Sequence, residues 1–437
     1  MNLLKISWKN ILYRPLSSGL SVLLLVSGIS IILITLLTLH QIEDKFKNNI
    51  GGVDLIIAAE GSRLQSVLCN LYQIDKPTGN INYARTGFVR MHPMVKKAIP
   101  LSIGDNYKTY RILATTHDYV DLYKGEISEG KLWEKPMEAT LGSEVAKKFN
   151  LKIGDKFSGG HGLGESIKEH KGQQYVVVGI LKPSNTVLDN LLLTSLESVW
   201  ILHADHDHKS KGDFDIISKE EHEENLKKQK EEEHHHHDHH EIAPQDFDAI
   251  LKSIDIRDRE ITSMLVQYKT PRARFTLPGI ANNTDGMMAA EPAIEIMQLF
   301  ELIEPAVKII GIMALVIVVI ASLSMFVAMI NSLKDRQYEI AIMRTMGATT
   351  QKVFGMILIE GFLLAVTGYV LGTIVSHLGM EFFSGYLAKN YHYNFTGFLF
   401  LQEELYLFLG AIIIGIVSAL YPAFKAYKTD ISKVLSA

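Results

Sequence analysis

Four stretches of this chain are so apolar that a water-soluble fold cannot accommodate all of them. The first, from Ser17 to Leu39, carries no charged residue over twenty-three positions. As a helix it would be about 34 Å long, against a bilayer hydrocarbon core of about 30 Å. A cleaved leader would have a shorter apolar run and a small-x-small cleavage site. Here His40-Gln41-Ile42-Glu43-Asp44 follows instead, so an uncleaved signal-anchor helix is expected. Three further spans fall at 305–330, at 353–377 (interrupted only by Glu360) and at 405–421. Charged residues make up 21% of the chain, against about 25% in soluble domains. That deficit is concentrated in the four spans, which excludes a purely soluble enzyme and a disordered chain.

Basic residues set the expected topology. Lys5, Lys9 and Arg14 precede the first span, Lys334, Arg336, Arg344 and Lys352 lie between the second and third, and Lys425, Lys428 and Lys433 follow the fourth. The positive-inside rule places these segments in the cytoplasm. The expected organisation is a cytoplasmic N-terminal segment 1–16, a first span 17–39, an extracytoplasmic domain 40–304, a second span 305–330, a cytoplasmic coupling segment 331–352, a third span 353–377, a short outer loop 378–404, a fourth span 405–421 and a cytoplasmic tail 422–437. The fold class is an α-helical membrane protein with four transmembrane helices and a large α/β extracytoplasmic domain. In that domain Val53–Ala58, Tyr110–Thr115, Tyr175–Ile180 and Met264–Tyr268 read as strands. Ser143 to Phe149 reads as a short helix with Ser143 as its N-cap. Ala289 to Glu304 reads as a helix that could act as a stalk.

Several chemistries are excluded by the residues present. The chain has no G-x-x-x-x-G-K-[ST] loop, no H-E-x-x-H and no G-x-S-x-G. Any ATP used must therefore be hydrolysed by another chain. The single cysteine, Cys69, forms no intrachain disulfide and reads as a small buried apolar residue. No basic stripe with interleaved aromatics points to nucleic acid.

The block from Ser332 to Ala348, SLKDRQYEIAIMRTMGA, resembles the signature of the MacB/FtsX/LolE-type ABC transporter permeases. Arg336, Glu339, Arg344 and Gly347-Ala348 fall in its register. Glu360 matches the family glutamate of the next span, and Tyr421-Pro422-Ala423-Phe424-Lys425-Ala426 matches the terminal pattern. Leu141-Gly142-Ser143-Glu144, Gly154-Asp155-Lys156-Phe157 and Tyr175 to Leu181 resemble the family's periplasmic module. The resemblance implies a non-catalytic subunit of the bacterial inner membrane with both termini cytoplasmic. It implies a homodimer, two copies of a separate cytoplasmic ABC ATPase, and an outer domain that moves a cargo or meets a periplasmic accessory protein. Its members work by mechanotransmission.

The residues of the coupling segment suit that role. Arg336, Glu339 and Arg344 could pair with ATPase surface groups. Ile340, Ile342, Met343 and Met346 offer apolar contact, and Gly347 would end the helix. The bland alternative is an amphipathic interfacial helix anchored by arginines. Glu360 lies inside a span, where a carboxylate usually faces protein or water. It reads either as part of a coupling joint, paired with a base such as Lys334 or Arg344, or as a side chain reaching toward the headgroups.

One low-complexity segment stands apart from the family pattern. Residues 203–241 hold thirteen Asp and Glu against six Lys, and read as a disordered loop too poor in apolar residues to fold. Within it lie His203, His206, His208, His222, His234, His235, His236, His237, His239 and His240. Imidazoles alternating with carboxylates suit Zn²⁺, Ni²⁺ or Cu²⁺. A solvated acidic linker and a pH sensor are the competing readings. The expected function is a permease that exports, extracts or releases a lipoprotein, peptide or metal-linked cargo, with a role in zinc homeostasis. The alternatives are a regulator of a cell-wall hydrolase and a metal-sensing membrane scaffold.

Overall fold

A computed structural model describes residues 3–13, 15–161, 168–169, 174–202, 247–255, 257–391 and 395–428. The chain divides into two units, one of residues 1–44 and 301–437 and the other of residues 45–300.

The unit of residues 45–300 is mixed α/β. Its strands, in chain order, are β1 Leu55–Ala59, β2 Ile81–Asn82, β3 Val95–Tyr107, β4 Tyr110–Ala114, β5 Ile127–Gly130, β6 Glu138–Leu141, β7 Lys156–Phe157, β8 Gly160–His161, β9 Lys168–Glu169, β10 Tyr175–Leu181, β11 Leu191–Thr194, β12 Glu260–Ile261, β13 Ser263–Tyr268 and β14 Met287–Ala290. Twelve form one sheet, ordered β14-β1-β13-β3-β4-β11-β6-β10-β5, with β7 beside β10 and the β8–β9 pair beside β3. Most pairings are antiparallel, whereas β11 with β4 and β10 with β6 run parallel.

The sequence of β1, LIIAA, is apolar at every position because both of its faces are covered. Ile56 and Ala58 enter one core with Leu71, Tyr119 and Leu191, while Leu55 and Ile57 enter another with Met264, Trp200 and Leu277. The same division runs through β11, where Leu191 and Leu193 face the first core and Leu192 faces a third around Leu141, Tyr175 and Val177. In β10 burial alternates, with Tyr175, Val177, Gly179 and Leu181 inside, as the period of two in a strand requires. Cys69 is fully buried. Burial pushes its thiol pKa up, against the opposing effect of Arg111, whose Nη1 lies 3.5 Å from the sulfur.

Two local expectations are corrected here. The helix Ser143–Phe149 is present, but its N-cap is Gly142, and the Ser143 hydroxyl bonds the Asp189 carboxylate at 3.0 Å. That carboxylate also accepts from the backbone N–H groups of Ser184 and Asn185, at 2.8 and 2.7 Å, so Ser143 helps hold a loop. A Cβ on Gly142 would lie 2.1 Å from the Leu188 carbonyl oxygen and 2.5 Å from that of Asp189. Gly142→Ala is therefore expected to lower stability by about 1–3 kcal/mol, seen as an earlier loss of near-ultraviolet circular dichroism on heating. The second correction concerns 289–304. Met287–Ala290 is a strand beside β1, and the helix begins at Pro292 and runs unbroken through Pro305 to Asp335. A proline needs no N–H at a helix start, so Pro292 marks the true beginning.

In the other unit, four helices are long and apolar enough to cross a membrane: Pro15–Ile50, Pro292–Asp335, Thr350–Tyr386 and Glu403–Tyr427. The first and second of these extend past the unit's boundaries at 44 and 300. Leu25, Ile29 and Leu33 from the first pack with Val318, Ala321 and Met325 from the second, Val353, Ile357 and Leu364 from the third, and Ala411, Ala419 and Ala423 from the fourth. Polar contacts tie the helices laterally, with Ser21 to Ser324 at 3.0 Å, Ser322 to Ser418 at 2.9 Å, and Ser30 Oγ donating to the Gly372 carbonyl at 2.9 Å. Ile312, Met313, Val316 and Val319 point outward and are exposed, as lipid-facing side chains would be.

The third helix does not end near His377, where an outer loop was expected; it reaches Tyr391. Its extra turns hold the chain that follows. Gln41 exchanges two hydrogen bonds with the Thr396 backbone at 3.0 and 2.8 Å, and Glu381 accepts from the Gly397 N–H at 2.8 Å. A Cβ on Gly397 would meet the His377 carbonyl at 2.2 Å, so only glycine fits this crossing. The N-terminal segment 1–16, for which no element was expected, contains the helix Leu3–Tyr13.

Candidate functional site

Between the second and third long helices the chain forms a nine-residue helix, Gln337–Thr345. Glu339 in its first turn and Arg344 in its last complement the helix dipole. Arg336 precedes it with φ −108° and ψ 12°, a break from the long helix that ends at Asp335. The chain leaves through Gly347 at φ +100°, a backbone state that disfavours any residue with a Cβ. The Ala348 N–H bonds the Met343 carbonyl at 3.0 Å, which closes the turn.

The two faces of this helix differ. Ile340 and Ala341 are buried, and Ile340 packs in the core with Leu333, Val353 and Ile357. Tyr338, Ile342 and Met346, spaced four apart, are 60%, 38% and 83% exposed. They form a ridge along the outer face. Ile340, expected with Ile342, Met343 and Met346 to offer apolar contact to a partner, is buried and anchors the helix instead. Tyr338 went unnoticed from sequence, although its spacing to Ile342 and Met346 would have revealed it.

Arg336 does not point to the outer face. Its Nη2 lies 3.1 and 3.0 Å from the two carboxylate oxygens of Glu360, and its side chain is only 12% exposed against 6% for Glu360. The Nε also donates to the Ser332 carbonyl at 3.3 Å, and Nη2 reaches the Ser332 hydroxyl. Read from sequence, Glu360 would pair with Lys334 or Arg344; the structure places Arg336 against it. The pair joins the start of the short helix to the third membrane helix. Buried charges persist only when paired and hydrogen-bonded, and the Ser332 contacts supply the extra bonds.

Beside the helix lies a cleft of about 320 Å³ lined by Ile6, Asn10, Arg336, Glu339, Ile340, Ile342, Met343 and Met356. The helix Leu3–Tyr13 thus forms one wall. It is held in place by Ser7, fully buried, whose hydroxyl donates to the Met356 carbonyl at 3.0 Å. An open cleft of mixed character, with an exposed apolar ridge at its rim, suits a protein surface better than a reaction centre. Among the described residues no group of three or more His, Cys, Asp or Glu could hold a metal ion. The ten histidines between His203 and His240 lie outside the described residues.

Two family models match separate parts of the chain. Residues 18–216 match the family model of the MacB-like periplasmic core domain, and residues 311–431 match that of the FtsX-like permease C-terminal. The lipoprotein-releasing system transmembrane protein LolC of Haemophilus influenzae is 27% identical over 139 residues, 30% of this chain and 34% of that protein. The match thus spans about a third of the relative's length. The periplasmic region of MacB from Actinobacillus actinomycetemcomitans superposes with a TM-score of 0.32 at 10% identity, covering 59% of this chain and 98% of that one. The extracellular domain of the noncanonic ABC-type transporter YknZ from Gram-positive bacteria gives 0.27 at 10% identity, covering 55% and 99%.

Proposed function

Because this chain belongs to the MacB/FtsX/LolE-type ABC transporter permeases, we propose that it carries ATP-driven movement from a cytoplasmic ATPase to its α/β domain. Members of this family work with cytoplasmic ABC ATPase partners. In this reading two ATPase copies dock on a homodimer, with both permease termini in the cytoplasm. The movement exports, extracts or releases a cargo at the outer face. The cargo is a lipoprotein, a peptide or a metal-linked substrate, the last on account of the ten histidines in 203–241.

One observation supports this reading above the others. The short helix Gln337–Thr345 is fixed from below by Ile340 and the Arg336–Glu360 pair, and it presents Tyr338, Ile342 and Met346 outward beside a cleft. A helix anchored on one face and apolar on the other can take a push from a docked protein and pass it into the membrane helices. Glu339, on the cleft wall, supplies a charge for an arginine or lysine of the ATPase. Arg344 and Gly347 complete the proposed contact, the first as a charge in the last turn and the second as the turn that frees the ridge.

The test is co-purification with the co-expressed ATPase. Ile342→Asp and Met346→Asp each remove an apolar anchor and bury a charge at the contact. Each is expected to weaken the complex by about 2 kcal/mol or more, roughly thirtyfold in affinity. Glu339→Ala is expected to leave the complex assembled and uncouple ATP hydrolysis from cargo release. Undiminished co-purification of both aspartate variants would show that the ATPase docks elsewhere.

A further inference from the structure

The helix Leu3–Tyr13 has four ridges, and two are accounted for by the packing and by the cleft. Ser7 and Ile11 face the membrane bundle, and Ile6 and Asn10 face the cleft. Leu4, Trp8 and Leu12, four residues apart, are 56%, 45% and 61% exposed. The adjoining ridge carries Lys5 and Lys9, also exposed. At 3.6 residues per turn, these ridges follow one another around the helix in the order bundle, apolar, cationic, cleft. The membrane span beginning at Pro15 is only one residue further on.

We propose that this helix is a binding surface for anionic phospholipid headgroups. The occupant follows from the order of the ridges. An apolar ridge next to the bundle sits where hydrocarbon surrounds the bundle. A tryptophan on it lies at the depth where the headgroups begin. Lys5 and Lys9, exposed on the next ridge, place positive charge beside the phosphates, as lysines at a membrane surface do. A protein partner would need the apolar ridge clear of lipid, and the span starting at Pro15 leaves no length of chain to lift it. Each lysine near a negatively charged membrane surface adds an attraction. Because Ile6 and Asn10 are on the same helix, bound lipid also fixes one wall of the cleft.

The surface is tested without any ATPase, so its failure and a failure of the coupling reading are distinguishable. Of the three tryptophans, Trp133 and Trp200 are 3% and 8% exposed, so Trp8 alone is available to quenchers in lipid. The full-length protein is placed in nanodiscs of phosphatidylcholine containing either brominated phosphatidylcholine or brominated phosphatidylglycerol. Phosphatidylglycerol should quench several-fold more strongly per mole. Lys5→Gln/Lys9→Gln should bring the two lipids to parity while quenching by brominated phosphatidylcholine persists. Trp8→Phe should remove the quenching of either lipid. Equal quenching by both lipids in the unaltered protein, or quenching that survives Trp8→Phe, overturns the proposal.

Discussion

Glu360→Leu is expected to destabilise the protein severely, and the double change Arg336→Met/Glu360→Leu to restore most of the loss. The two side chains are 12% and 6% exposed, and the pair is made at 3.0 to 3.1 Å. Removing the carboxylate alone leaves the guanidinium buried with, among the described residues, the Ser332 oxygens as its remaining hydrogen-bond partners. Breaking such a pair costs about 3–5 kcal/mol. Replacing both members by apolar residues of similar size is often neutral, because the desolvation of two charges is also removed. Thermal unfolding of the full chain in detergent measures the difference. If single and double variants melt together, the pair does not hold this joint. If the double variant is stable but loses the coupling of ATP hydrolysis to cargo release proposed above, the charge pair serves that proposed transmission as well as stability.

Gly415→Leu is the second substitution expected to have a large effect. A Cβ at Gly415 would lie 2.5 Å from the Ala365 Cβ and 2.6 Å from the Gly361 carbonyl oxygen. A Cβ at Gly361 would meet Gly415 and Ala419 just as closely. The third and fourth membrane helices therefore touch backbone to backbone. Lipid offers no hydrophobic drive for two helices to associate, so close packing carries the association. One added carbon should cost about 1–3 kcal/mol, and a leucine should separate the helices. Gly410 on the same helix has nothing within 4 Å of its would-be Cβ. Gly410→Leu should be silent in the same melting experiment. An unchanged melting temperature for Gly415→Leu would contradict the contact.

Parts of this structure could be read from the residues, for identifiable reasons. The four spans are legible because twenty or so uncharged residues have few other places to go. The strands at Leu55, Tyr110, Tyr175 and Ser263 are legible because β-branched and aromatic residues cluster there. Other elements hide their type. β3 contains Pro100 and Gly104, which punctuate a thirteen-residue strand as if it were a loop. The strand nevertheless continues through Pro100, whose carbonyl accepts from the Thr115 hydroxyl at 2.8 Å. Met287–Ala290 has no β-branched residue and borders a long helix, so its neighbours in sequence suggest helix while its pairing with β1 makes it a strand. In the site, the motif located the short helix, but the partner of Glu360 depends on a contact 24 residues away in sequence. Which of three nearby bases reaches it is set by where the long helix breaks, after Asp335. The helix Leu3–Tyr13 is hard to read from sequence because it is short and carries two lysines, and its packing against the bundle is a long-range contact.

The position of β1 has a consequence for how the protein is made. Its two neighbours in the sheet, β13 and β14, are the last strands of the domain to be synthesised. About two hundred residues separate Ala59 from Ser263, and at roughly 5–20 residues per second the ribosome needs on the order of 10–40 s to supply them. Throughout that interval LIIAA has both edges bare, an invitation to the wrong partner. A nascent chain halted before Ser263 should aggregate rather than wait, so one short strand needs shelter until Met287–Ala290 has been made.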